Sequence, residues 1–118
     1  MIVMIEFLSI ALFTAVSTTS IADVESARVD YSNCLVDYTT AQLEMKTGTS
    51  AFKKGAKTAC SEEREAMISA MKKDEMEFGS SESEATSYAT EEADSVLFSF
   101  TDSYAGYASS STRPVREE

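Results

Sequence analysis

Histidine and tryptophan are absent from this 118-residue chain, proline occurs once, and glycine occurs four times. The lack of histidine removes the commonest general base and metal ligand of neutral pH. No G-x-x-x-x-G-K-[ST] or G-x-G-x-x-G run is present to cradle a phosphate. The many serines include none in a nucleophile-elbow setting. Bases are missing altogether from Asp74 to Ser110, a stretch with nine acids. The formal net charge of −10 argues against nucleic acid or an anionic lipid surface as partner and favours a basic protein. An enzyme is therefore the least supported class, and no cofactor is expected.

What is present begins with an apolar run, Phe7 to Val16, followed by the polar stretch Ser17 to Ser20 and by Ile21-Ala22-Asp23. Ser20 and Ala22 are small residues placed as a signal peptidase requires, so residues 1–22 are expected to be a signal peptide. The run is far shorter than the ~20 residues of a spanning helix, and no stable membrane insertion is expected after cleavage. The residues before the run carry Glu6 and no base, a departure from the usual signal pattern.

The remainder is enough for one domain and not two. Its apolar residues recur at helical spacing. Val24, Ala27, Tyr31, Cys34, Tyr38, Ala41 and Met45 form one stripe, with Gly48 expected as its left-handed cap and Thr49 or Ser50 as the next N-cap. A second helix is expected over 51–78, with Phe52, Ala56, Ala59, Cys60, Met67, Ala70, Met71 and Phe78 facing inward and Gly79 ending it. Gly55 weakens that helix while letting the first one approach. Ser81 with Glu84 reads as a capping box for a third helix. Its expected face is Ala85, Tyr88 or Ala89, Ala93, Val96, Phe100 and Tyr104, beside Leu97 and Tyr107. The expectation is an all-α domain over 23–108, an antiparallel helical hairpin plus a third helix in a three-helix bundle. Residues 109–118 lack apolar periodicity and read as a disordered tail. Net charges of −4 over Asp23–Met45, +4 over Lys46–Lys73 and −9 over Asp74–Ser110 suit a basic middle helix touching both acidic ones.

Cys34 and Cys60 are the only cysteines, and they fall at nearly equal heights on either side of Gly48. Facing positions on packed helices meet the ~7 Å Cα limit of a disulfide. A lone cysteine pair without histidine is a poor zinc site, and no C-x-x-C motif is present. A structural disulfide is expected, and with it an oxidising compartment, the bacterial periplasm or the exterior. The acids at Asp74-Glu75-Met76-Glu77 and at Glu91, Glu92 and Asp94 lack a calcium-loop pattern and read as solvated helix faces.

Two further groups offer candidate sites. Met67 and Met71 could supply thioethers to Cu(I), although their spacing equally suits a core. Phe98, Phe100, Tyr104 and Tyr107 make the end of the third helix aromatic on more than one face, either a docking surface or homodimer seam or a core around which the first two helices wrap. Tyr31-Ser32-Asn33-Cys34 followed by Ala59-Cys60-Ser61-Glu62-Glu63-Arg64 resembles a group of small exported bacterial helical proteins of unknown function. That resemblance covers roughly residues 29–70 and implies an envelope location and a helical disulfide hairpin. The expected function is a non-enzymatic binding or structural module. The alternatives are a small-ligand or copper carrier using the methionines, and an acidic inhibitor of a basic envelope or foreign enzyme.

Overall fold

The computed structural model describes residues 19–118, in which four helices and no strand occur: α1 Thr19–Glu44, α2 Thr49–Ala59, α3 Ser61–Glu77 and α4 Glu82–Ser110. The apolar run of the expected signal peptide lies outside the described residues. The expected cleavage point after Ala22 falls in the first turn of α1.

The all-α expectation holds, but the helix count does not, because the expected second helix is two. The break is at Cys60, whose φ of −119° and ψ of 42° serve both as the last cap of α2 and the first of α3. Neither glycine nor proline stands at the break itself. Instead Ser61 Oγ donates to the Thr58 carbonyl at 2.6 Å and Thr58 Oγ1 to the Gly55 carbonyl at 3.4 Å. Hydroxyls that bond back three residues compete with the helical ladder and loosen it. The three-rod arrangement survives the break. Both α2 and α3 pack on α1 and on α4, so together they make the middle rod.

The turns follow local chemistry with one exchange of roles. Lys46 takes the left-handed conformation at φ 55°, while Gly48 is extended and caps α2 without a side-chain bond. Gly79, at φ 99°, ends α3 as expected. Ser81 accepts a bond from the Glu84 amide at 3.2 Å and opens α4.

The core has two halves of different texture. Beside α3, Ala85, Ala89 and Ala93 of α4 are fully buried and leave room for Met67 and Met71. Small side chains allow helices to approach closely, so this half is thin and tight. Beside α2 the core is aromatic. Phe52 stacks on Tyr104 with centroids 3.9 Å apart, and Tyr38 stacks on Phe52 at 5.6 Å. The buried Tyr104 hydroxyl donates to the Thr47 carbonyl at 2.5 Å and ties the end of α4 to the α1–α2 turn.

The buried face of α1 is turned from the expected stripe. Tyr31, Leu35, Val36 and Thr39 are buried, whereas Ala41 and Met45 are exposed. Ala59 and Phe78 likewise lie outside the core. Helix α1 has neighbours on two sides, and the segment after α4 covers part of a third. Two-sided packing draws in residues flanking a single stripe, such as Leu35 and Val36.

Candidate functional site

The segment expected as a disordered tail begins inside α4, which runs on through Ser109 and Ser110, and the rest of it, without helix, is held along α1. At Ser111 the chain enters the left-handed region, φ 56° and ψ 36°, and Thr112 N donates to the Tyr107 carbonyl. This reverses the direction of α4 and lays residues 112–118, hereafter the strap, antiparallel to α1. Arg113 Nη1 donates to Glu44 at 3.0 Å, and Arg116 pairs with Asp37. One residue further, the Asn33 side chain grips the backbone of Glu117. Asn33 Nδ2 donates to the Glu117 carbonyl at 2.8 Å, and Glu117 N donates to Asn33 Oδ1 at 2.7 Å.

The Glu117 carboxylate is held at its other end. Arg28 Nη1 and Nη2 donate to Glu117 Oε2 and Oε1, both at 3.1 Å. Arg28 also donates to Glu25, from Nε at 3.1 Å and from Nη2 at 2.6 Å. The Arg28 guanidinium and then the Ser32 hydroxyl hold the Glu117 carboxyl below its ordinary range, against a smaller opposing effect of burial. Asp37 raises the Arg116 guanidinium in the same way.

Under the strap lies the disulfide. Cys34 and Cys60 are bonded with Cα atoms 6.0 Å apart, as their equal heights predict. The bond fastens the middle of α1 to the joint between α2 and α3. Glu63 places a carboxylate oxygen within 4.8 Å of both sulfurs. Among the described residues this is the one cluster of cysteines and acids with metal-site spacing, but its sulfurs are spent on each other. Asp30, Asn33, Cys34, Asp37, Glu63 and Arg116 together line a shallow hollow there.

The charges sort differently from expectation. The bases of the middle rod pair with α4 alone among the described residues, Arg64 with Asp94 at 2.7 Å and Lys72 with Glu82 at 2.8 Å. The acids of α1 take the arginines of the strap and Arg28. Partial burial pulls the Arg64 guanidinium down, but the Tyr31 phenol and Asp94 beside it outweigh that and raise it. On the far side of the bundle, Tyr88 is raised chiefly by Glu92, then by burial and by Glu75 and Asp74, so those acids share one surface.

The other expected sites divide between core and surface. Phe100 and Tyr104, expected on the inward face of this helix and offered also as part of an interaction surface, belong to the core; Phe98 is exposed and Tyr107 half-buried. Helix α4 spends these two aromatics on filling the core. Tyr107 instead lines a cleft of about 440 Å³ with Leu43, Thr47 and Arg113. Met67 and Met71 are buried in the core, where their thioethers act as packing.

The strap-binding residues Arg28, Ser32, Asn33, Asp37 and Glu44 escaped the sequence reading. A signal was available in the spacing. Asp30, Asp37 and Glu44 recur every seven residues on one face of α1, and Arg113 and Arg116 are the only bases after Lys73. The quartet Tyr31-Ser32-Asn33-Cys34 divides its work between core, strap and disulfide. Compared with known protein families, curated proteins and solved structures, the chain matches none of them.

Proposed function

We propose that this protein is a non-enzymatic binding module of the bacterial periplasm or exterior, taking an extended segment of a partner protein along the outer face of α1. The observation that carries the reading is the Asn33 amide, which pairs with the backbone of Glu117 and not with a side chain. An amide that offers one donor and one acceptor to the C=O and N–H of a single residue holds a chain whatever the side chain there, proline excepted. Flanking charged groups then supply selectivity. The acids Asp30, Asp37 and Glu44 favour a basic partner, in encounter rate as well as in choice. The disulfide suits an oxidising compartment. Among the described residues no helix is long and apolar enough to cross a membrane.

The test uses the full chain carrying Arg113→Ser, Arg116→Ser and Glu117→Pro, which strips the strap of its ion pairs and of the amide hydrogen given to Asn33. A fluorescent peptide of residues 111–118 should bind this variant, and Asn33→Ala should abolish the binding. The same peptide N-methylated at the Glu117 amide has lost the donor and should bind more weakly by up to about tenfold, the worth of one part-buried hydrogen bond. Equal binding of both peptides would remove the backbone grip on which the reading stands.

A second reading, an acidic inhibitor of a basic enzyme, draws on the nine acids of 74–110. Among the described residues only Glu82 and Asp94 of these have ion-pair partners. It predicts capture of a basic enzyme that is lost in high salt and survives Asn33→Ala.

A further inference from the structure

We infer that the strap is a built-in substitute for the partner: the segment taken by α1 carries two cations three residues apart followed directly by an acid, and it must displace the strap to bind. This rests on α1 being the binding face. The pattern is copied from the contacts. Arg113 meets Glu44, Arg116 meets Asp37, and Glu117 meets Arg28 through its carboxylate and Asn33 through its backbone. The spacing is set by geometry. From Glu44 to Asn33 an α-helix advances about 16 Å, and from Arg113 to Glu117 an extended chain covers about 13 Å. An extended segment of this length therefore comes close to spanning those positions on α1. The residues between contribute little. Val115 is 84 % exposed, and Pro114 has no amide hydrogen to satisfy. Asp30 lies beside the Asn33 grip with no ion-pair partner among the described residues, and it offers a place for one more base.

The strap is also built to let go. Its ion pairs are all at the surface, where each holds weakly and is screened by salt. It buries no large apolar side chain. It turns on Ser111, held at φ 56°, a conformation that residues other than glycine and asparagine adopt reluctantly. A strap joined by a few residues competes at an effective concentration on the order of a millimolar. An external segment therefore sees only the fraction of molecules with the strap open, and its apparent affinity falls by that fraction.

The experiment compares the unmodified full chain with the strap-emptied variant, using anisotropy of the labelled 111–118 peptide. The emptied variant should bind at least about tenfold more tightly. Ser111→Val leaves every contact residue in place and disfavours the turn, so it should also bind more tightly; Ser111→Gly should bind more weakly than the unmodified chain. A peptide with both arginines replaced by glutamate should not bind the emptied variant. Equal affinity of the unmodified chain, the emptied variant and Ser111→Val would show that the strap does not compete. Equal binding of the charge-reversed peptide would overturn the partner's chemistry while leaving the backbone grip intact. If no peptide binds any of these folded proteins, the binding-face reading falls with it. Circular dichroism on each variant establishes that it is folded.

Discussion

Tyr38 occupies the space in which a side chain on Gly55 would have to stand: a Cβ built there lies 2.0 Å from the phenol oxygen and 3.3 Å from Cζ. The glycine lets α1 and α2 come together over the aromatic half of the core. Tyr38 in turn stacks on Phe52, which stacks on Tyr104. Helix α2 thus owes its place to what one residue lacks.

Gly55→Ala sets two effects against each other. Alanine favours the helix by about 1 kcal/mol over glycine. The overlap with a ring stacked in place costs about 1–3 kcal/mol, as overpacked cores do. The overlap wins, and the urea midpoint should fall. In a Tyr38→Phe background the nearest clash is gone and the same substitution should be close to neutral. An alanine variant at least as stable as the unmodified chain would mean that Tyr38 moves aside freely.

Thr39 is fully buried and its hydroxyl has no hydrogen-bond partner. Valine has the same shape without the unsatisfied group. Thr39→Val should raise stability by about 1 kcal/mol, since an unpaired buried hydroxyl costs about 1–3 kcal/mol and relaxation recovers part of it. Thermal unfolding followed by circular dichroism reads this directly. A loss of stability would show that the hydroxyl finds a partner in solution.

Closing a loop across 26 positions, the Cys34–Cys60 bond removes disorder from the unfolded chain. The chain-entropy relation gives about 3.5 kcal/mol for a loop of this size. Replacing both cysteines by serine should lower the denaturation free energy by up to that amount. The α2–α3 joint should loosen first, because the bond is its covalent link to α1. Hydrogen exchange localises the effect: amides of Lys57 to Arg64 should lose more protection than those of Ala85 to Ala93. Uniform loss along the chain would argue against a joint held by the bond.

Acid should release the strap. The folded-state pKa of Glu117 is lowered, chiefly by Arg28 and next by Ser32, with Glu25 and burial opposing. A lowered carboxyl contributes stability that is present above its unfolded pKa and lost as pH falls through the folded value. The strap should therefore stay closed at neutral pH and open below the ordinary glutamate range. The side chain is 42 % exposed, so the effect is modest and weakens with salt. The Asn33 side-chain amide signals, followed by NMR against pH, should shift with the Glu117 titration. They should not do so in Glu117→Gln. Shifts that persist in Glu117→Gln would assign the opening to another group.

Much of this architecture was legible in the residues because its causes are local. Helical periodicity, the Ser81–Glu84 start and the Gly79 stop each act within a turn or two of chain. The pairing of Cys34 with Cys60 followed from counting residues on either side of one turn. The division at Cys60 was not legible as a break, since no glycine or proline stands at it and threonine and serine hydroxyls bond back in many unbroken helices as well. The left-handed conformation fell on Lys46 and not on Gly48, in a turn that also receives the Tyr104 hydroxyl from far along the chain.

The sequence by itself determined an acidic, helical, disulfide-closed domain, since composition, spacing and caps depend on neighbours in the chain. Tertiary structure alone decided which aromatics of α4 fill the core and that residues 112–118 lie on α1. The strap has no apolar rhythm to betray it. Its hold is polar and made across some eighty positions, Arg28 to Glu117 and Asn33 to Glu117. Such contacts become visible only when the fold brings both partners to one face.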